Sequence, residues 1–264
     1  MTGLLVGVCA VAGLLIGSFL NVVVWRVPRG ESVVHPPSAC PRCGASIQPR
    51  DNVPVVSWVL LRGRCRACAA PISVRYPLVE AVTALLFAAT AAVVGPSWLL
   101  PVALYVVAVA VALALIDIDV HRLPDAIVLP SYPVVLVLLA LASLDPGGTS
   151  DWHALGRSVL GGLAMLAVYL VLVLVHPAGM GLGDLKLSGV LGMFLGWFGW
   201  GVWAVGLFLP FLLGAVFGLV LMAARRAGRK TGIPFGPWML LGALAAPLVA
   251  GPALDWYWDT VLQL

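Results

Sequence analysis

Two carboxylates far apart in an apolar chain are the groups with the clearest chemistry. Asp184 lies in Gly179-Met180-Gly181-Leu182-Gly183-Asp184-Leu185-Lys186, between two strongly apolar segments. Asp117 lies upstream in Leu115-Ile116-Asp117-Ile118-Asp119, at the end of another apolar run. Charge beside hydrocarbon is costly, so an ionisable residue there marks a functional site. The bland alternative for Asp184 is a cap on a helix N-terminus, where acidic residues are favoured. That alternative does not serve Asp117, which closes a predicted span, where the helix dipole opposes a carboxylate. Two carboxylates at the same end of two membrane helices can hydrolyse a peptide bond. They share one proton; the ionised member takes a proton from water while the protonated member donates to the scissile carbonyl. Gly179, Gly181 and Gly183 keep side-chain bulk low, so an extended substrate backbone can approach.

A second cluster has different chemistry. Cys40-Pro41-Arg42-Cys43 and Cys65-Arg66-Ala67-Cys68 are paired CxxC motifs, and their spacer, residues 44–64, is slightly longer than the ~15–20 residues usual for such sites. The pattern predicts a tetrahedral four-thiolate zinc site, structural because all four positions are filled. Gly44 and Ala69 follow the pairs, as tight knuckle turns require. Arg42, Arg62, Arg64 and Arg66 are near enough in sequence to stabilise thiolates or meet an anionic surface. Cys9 reads as a small buried hydrophobe.

The elements that must position these groups are membrane helices. Of 264 residues, 62% are hydrophobic and 10% charged, and mean hydropathy is +1.07. Soluble domains carry about a quarter charged residues. The expected fold class is an all-α polytopic membrane protein. Its net charge of +4 is orientation chemistry and no sign of nucleic acid. Apolar runs near the ~20 residues of a crossing fall at about 3–25, 77–95, 98–116, 126–144, 157–176, 187–203, 205–223 and 236–254. The predicted arrangement is therefore about eight transmembrane helices. A first span (1–27) and a small cytoplasmic zinc-binding loop domain (28–76) precede a membrane peptidase domain (77–264). The first span lacks a basic leader and reads as retained. With the N-terminus outside, every Lys and Arg except Arg157 lies on the cytoplasmic side, including Arg225, Arg226, Arg229 and Lys230. Trp152, Trp256, Tyr257 and Trp258, with Asp145, Asp151, Asp255 and Asp259, mark the outer face.

Other polar residues have competing readings. Asn21 must find a partner inside the bundle, and Gly17 and Ser18 allow close helix approach. Glu80, after Pro77, reads as a complement to a helix dipole in its first turn, with a site role left open. Asp125 follows Pro124 and reads as a cap. Asp119 and His121 fit solvated loop positions, Lys186 can snorkel to the interface, and His176 reads as interfacial. The prolines and glycine of Ile233-Pro234-Phe235-Gly236-Pro237 predict an irregular helix entry that protein must cover.

These motifs in this order resemble the type IV prepilin peptidases. The resemblance rests on Gly17-Ser18-Phe19-Leu20-Asn21, the CxxC pairs, Arg75-Tyr76-Pro77-Leu78-Val79-Glu80, Ile116-Asp117 with Leu123-Pro124-Asp125, Gly181-Leu182-Gly183-Asp184-Leu185-Lys186, and Pro234-Phe235-Gly236-Pro237. It implies catalytic aspartates at Asp117 and Asp184, with Asp119 the alternative for the first. Gly181, Gly183, Lys186, Asp119, Asp125 and Glu80 would then support the site. It further implies cleavage of prepilin or pseudopilin leader peptides after a glycine, and N-methylation of the new terminus from S-adenosylmethionine. The setting it implies is the bacterial inner membrane, with the active site at the cytoplasmic face beside pilus or secretion assembly machinery. No motif here independently demonstrates methyl transfer, and a peptidase with the zinc loop as a docking module is the alternative. A transporter would need charges near the midplane and repeat symmetry, and neither is visible. A presenilin-like protease usually carries tyrosine where Ile116 stands.

Overall fold

The computed structural model describes residues 2–176, 180–225, 228 and 234–257, with side chains to residue 251. Among them are eight long helices and one short one, and no strands: α1 (Thr2–Arg26), α2 (Val56–Leu60), α3 (Arg75–Val94), α4 (Leu100–Val120), α5 (Asp125–Leu144), α6 (Trp152–Val175), α7 (Leu182–Phe198), α8 (Trp200–Ala223) and α9 (Gly236–Tyr257). Six of them, α1, α3, α4, α5, α6 and α8, are long and apolar enough to cross a membrane. The chain is a multi-pass membrane protein. At 17 residues α7 lies at the short end of the range for a crossing.

Apolar content located the centres of these helices, and capping sets their ends. The predicted run 187–203 is shifted back to Leu182–Phe198, because Gly181 is its N-cap and Gly199, at φ 121°, breaks it from α8. The run 157–176 starts earlier, at Trp152, because Asp151 accepts the Ala154 N–H at 2.9 Å. This assigns a capping task to one of the predicted outer-loop acids. Arg226, Arg229, Lys230, Gly179, Ile233, Trp258 and Asp259 lie outside the described residues.

The chain forms two compact units, residues 1–112 and 113–264. In the first, α1 packs along α3. A Cβ on Gly13 would stand 2.7 Å from Ala84 Cα, and one on Gly17 2.8 Å from Glu80 Cα. Gly13 and Gly17 thus form a small-residue contact of the GxxxG kind, and Gly13 was legible but unread. Asn21 finds its partner here: Nδ2 donates to the Tyr76 carbonyl at 3.2 Å. Cys9 is buried, as expected.

In the second unit α7 is the centre, packed by α5, α6, α8 and α9 and buried without interruption from Leu187 to Gly196. Its glycines permit this. A Cβ on Gly192 would stand 2.5 Å from the Gly161 carbonyl of α6, and one on Gly196 2.7 Å from the Arg157 carbonyl. Arg157, the single basic residue against the charge rule, is occupied at the end of α7. Its Nε donates to the Gly196 carbonyl at 2.8 Å and its Nη2 to Trp197 at 2.6 Å. A cation on the last carbonyls of a helix satisfies orphan acceptors and the dipole together.

Candidate active site and metal centre

Asp117 lies in the last turn of α4, which runs on to Val120 instead of ending at the carboxylate. Its side chain is buried, and Oδ2 accepts the N–H of Gly236 at 3.0 Å. Gly236 opens α9, and the following Pro237 has no N–H to offer. The positive end of α9 therefore supplies what the C-terminal end of α4 denies to a carboxylate. This donor was missed in the sequence, although the irregular Gly-Pro helix entry was its signal.

Asp184 is the third residue of α7, and its Oδ2 accepts the Gly181 N–H at 3.2 Å. The capping reading of Asp184 is therefore realised. Gly181 has no side chain to reciprocate, so this is half of a capping box. The second oxygen is not committed to the cap. Leu123 packs against both Gly236, which donates to Asp117, and Gly183, which precedes Asp184, so the two carboxylates flank one residue within the second unit.

Leu123 links the two sides. A Cβ on Gly183 would stand 2.9 Å from Leu123 Cβ; one on Gly236 would stand 3.2 Å from Leu123 Cδ2 and 2.7 Å from Asp117 Oδ2. Close approach, not backbone conformation, is what requires glycine at both positions.

The flanking polar residues depart from several expectations. Asp119 and His121 are exposed. Asp125 opens α5, but Pro124 holds the N-cap place and no side chain caps it. The Asp125 carboxylate instead accepts both hydrogen bonds from Lys186 Nζ, at 2.8 and 2.9 Å. Lys186 thus binds across to α5, with its side chain partly exposed. Tyr132 of α5 donates to the Lys186 carbonyl at 2.6 Å and lies against Gly189. These contacts brace the start of α7, and Tyr132 was another residue missed. A phenol inside an apolar run needs a partner, and that was its signal.

Glu80 lies in the second turn of α3, not the first, because the helix starts at Arg75. It caps nothing. It is buried, and Oε2 accepts the Val55 N–H at 2.7 Å, tying the loop between α1 and α3 to a membrane helix.

In that loop the four thiols of Cys40, Cys43, Cys65 and Cys68 lie within 4.8 Å of one another. Cys40 Sγ and Cys68 Sγ are 3.8 Å apart. A tetrahedral zinc with Zn–S of about 2.3 Å spaces its sulfurs by about 3.8 Å, so the donor set fits. The cluster can hold a metal ion. Each knuckle repeats the same bonds: Gly44 N–H to Cys40 carbonyl and Ala69 N–H to Cys65 carbonyl, both 2.9 Å; Cys40 N–H to Ala45 at 2.9 Å and Cys65 N–H to Ala70 at 2.8 Å. Gly44 at φ 72° and Ala69 at φ 56° make the left-handed turns.

The thiols titrate as a set. Amide hydrogen bonds from Cys43 and Arg42 lower Cys40 to about 6. Cys68 is pushed up to about 11: the Ala70 amide opposes this, but burial and the neighbouring thiols outweigh it. Arg66 does not face the sulfurs. It grips Asp51, Nη2 to Oδ1 at 2.6 Å, and holds the Asp51 carboxyl below its ordinary range.

Two carboxylates at helix ends, Asp117 buried and Asp184 partly buried, in a helical membrane protein with a four-thiol loop, are groups suited to acid–base hydrolysis. Residues 11–94 match the bacterial peptidase A24 N-terminal domain, and residues 104–222 match the type IV leader peptidase family. The chain is 36% identical to a prepilin leader peptidase/N-methyltransferase of Aeromonas salmonicida, covering 94% of this chain and 92% of that one. It is 38% identical to one of Pseudomonas aeruginosa, covering 89% and 87%. To one of Myxococcus xanthus it is 42% identical, covering 84% and 64%. No solved structure matches it. This chain belongs to the type IV leader peptidase family.

Proposed function

We propose that the chain is a membrane-embedded aspartic endopeptidase that removes the leader peptide of prepilin-like proteins after a glycine. It then N-methylates the new N-terminal residue with S-adenosylmethionine as donor. The observation that supports the hydrolytic step is that Leu123 packs against both Gly236, which holds Asp117, and Gly183, which precedes Asp184, inside the second unit. One oxygen of each aspartate is held by a backbone N–H, from Gly236 and from Gly181. That leaves the other oxygen of each carboxylate for the reaction. The pair shares a proton; the ionised member takes one from water and the protonated member donates to the scissile carbonyl. We assign the first aspartate to Asp117, not Asp119, because it is the buried one. Gly181, Gly183, Lys186 and Asp125 support the start of α7. A transporter reading is disfavoured because both carboxylates lie at helix ends, not at mid-span.

Zinc in the thiol cluster, in a loop domain spanning 28–76, would order that loop and leave no open position for hydrolysis. The distribution of Lys and Arg supports an N-terminus outside and an active site at the cytoplasmic face of the inner membrane. There a short basic leader and pilus or secretion machinery would meet it. The methyl-transfer half rests on the names of the relatives.

The test is mass spectrometry of a prepilin-like substrate incubated with the protein and the methyl donor. Asp117→Asn and Asp184→Asn should each lower cleavage by about 10²–10⁴-fold or more, with the protein still membrane-inserted. Near-normal cleavage by either, or a dead Asp119→Asn beside an active Asp117→Asn, overturns the assignment. Cleavage without a methyl mass increment leaves a peptidase whose loop only docks substrate.

A further inference from the structure

The loop segment 53–60 is inverted with respect to a soluble domain. Its polar residue is inside: Ser57 is buried, accepts the Val53 N–H at 3.0 Å and donates to the Arg50 carbonyl at 3.0 Å. Trp58 also turns inward, donating to the Ile72 carbonyl at 3.2 Å with its ring against Gly63. Four of its apolar residues face out. Val53, Val56 and Val59 are about half exposed or more, and Leu60 is 77% exposed. Exposed Arg50, Arg62 and Arg64 flank this face.

The position of the segment is fixed by a bond. Tyr76, at the start of α3, and Trp25, at the end of α1, are exposed aromatic residues at one end of the α1–α3 pair. Asn21, which reaches the Tyr76 carbonyl, sets the two helices level, and Arg29 lies over the Trp25 ring at 3.6 Å. Amphipathic rings with a neighbouring cation mark the membrane–water boundary. Glu80 is one turn beyond Tyr76, roughly 6 Å further into the span. Its carboxylate holds the Val55 N–H at 2.7 Å. Val55 is in a classic γ-turn, φ 59° and ψ −49°, with Val56 N–H on the Pro54 carbonyl at 2.6 Å. That conformation is rare and strained for a β-branched residue. The buried carboxylate draws the loop down to the level of the ring girdle.

We propose that residues 53–60 form a lipid anchor lying in the boundary between headgroups and acyl chains. Val53, Val56, Val59 and Leu60 enter the acyl boundary, and Arg50, Arg62 and Arg64 meet anionic lipid phosphates. Outward apolar residues flanked by arginines are the composition of an interfacial segment. The anchor rests on α1 and α3 being spans and is independent of the Asp117–Asp184 assignment, so loss of cleavage does not bear on it.

The full-length protein in nanodiscs of phosphatidylcholine and phosphatidylglycerol, carrying a lipid with a diazirine high on its acyl chain, tests this. After irradiation and digestion, mass spectrometry should find lipid adducts on 53–60 as on α3, and none on 40–48. In Val56→Glu/Leu60→Glu the adducts on 53–60 should be lost, while those on α3 and the metal content stay unchanged. An unmodified 53–60 in the parent protein, with α3 modified, overturns the proposal. So does hydroxyl-radical oxidation of Leu60 in the bilayer that stops only when a prepilin-like peptide is added, because the face would then dock peptide.

Discussion

The thiols and the carboxylates are positioned by different lengths of chain. Cys40, Cys43, Cys65 and Cys68 are each aimed by bonds within a few residues, the two knuckles repeating one pattern. Nothing resembling a packed core lies around them, since Cys43 and Cys68 are exposed. Asp117 is held across 119 residues by Gly236, and Asp184 stands at the start of a helix surrounded by four others. A locally aimed cluster needs a metal to hold its halves together. A cluster aimed by helix packing is rigid before anything binds, which is what pre-organised acid–base groups require.

The comparison is broken most severely at the metal. Cys65→Ser/Cys68→Ser should abolish zinc binding, removing an interaction of about 10–16 kcal/mol in comparable sites, and should open residues 28–74 to proteolysis. Metal analysis and limited proteolysis read both. Methylation should fall more than cleavage, and equal loss in a folded, inserted protein would mean the loop serves a substrate path common to both activities. Zinc-free, fully active parent protein would remove the metal from the account altogether. Protons compete with the metal for thiolates, so retention should decline as pH falls; the amide-stabilised Cys40 thiol should reprotonate after Cys68.

A smaller effect is expected where the carboxylate meets glycine. Gly236→Ala puts a methyl group 2.7 Å from Asp117 Oδ2, which must move. A displacement near 1 Å costs about 10²-fold in rate, so kcat for cleavage should drop with zinc content unchanged. An unaffected kcat would mean the Gly236 contact does not position Asp117.

These two sites were unequally legible. Cys spacing is a local pattern and reported the cluster directly. The aspartates were readable as polar residues beside apolar runs. The local cap of Asp184 was readable too, but the partner of Asp117 was not, because a donor on a helix 119 residues away leaves no local periodicity. Gly183 and Gly236 were visible as glycines, but only packing shows that Leu123 fills the space they leave. Helix number followed from apolar content. Helix ends did not, since Asp151 and Gly181 set them by single hydrogen bonds. Glu80 and Asp125 were misread for one reason: a carboxylate near a helix start suggests a cap, and each instead serves another segment.

Smaller again, Arg157→Ala should lower thermal stability by about 1.5–3 kcal/mol, the range for hydrogen bonds to a charged group, without altering zinc content. An unchanged melting profile would mean the α7 carbonyls are satisfied otherwise. The mildest change sharpens the likeness of the two knuckles. Ala69, at φ 56°, occupies the place Gly44 fills without strain, so Ala69→Gly should stabilise the zinc-bound loop by about 0.5–1 kcal/mol. Chelator titration should show slower zinc loss, and faster loss would mean Ala69 contributes packing that the turn geometry does not reveal.

The hydrogen bond from Gly236 to Asp117 also orders events during synthesis. Both acids are translated and threaded into the bilayer before α9 exists, and Asp117 then has no donor from the α9 entry. Asp117 gains that donor only when α9 arrives, so a nascent chain, or one truncated before Gly236, carries both acids without this bond.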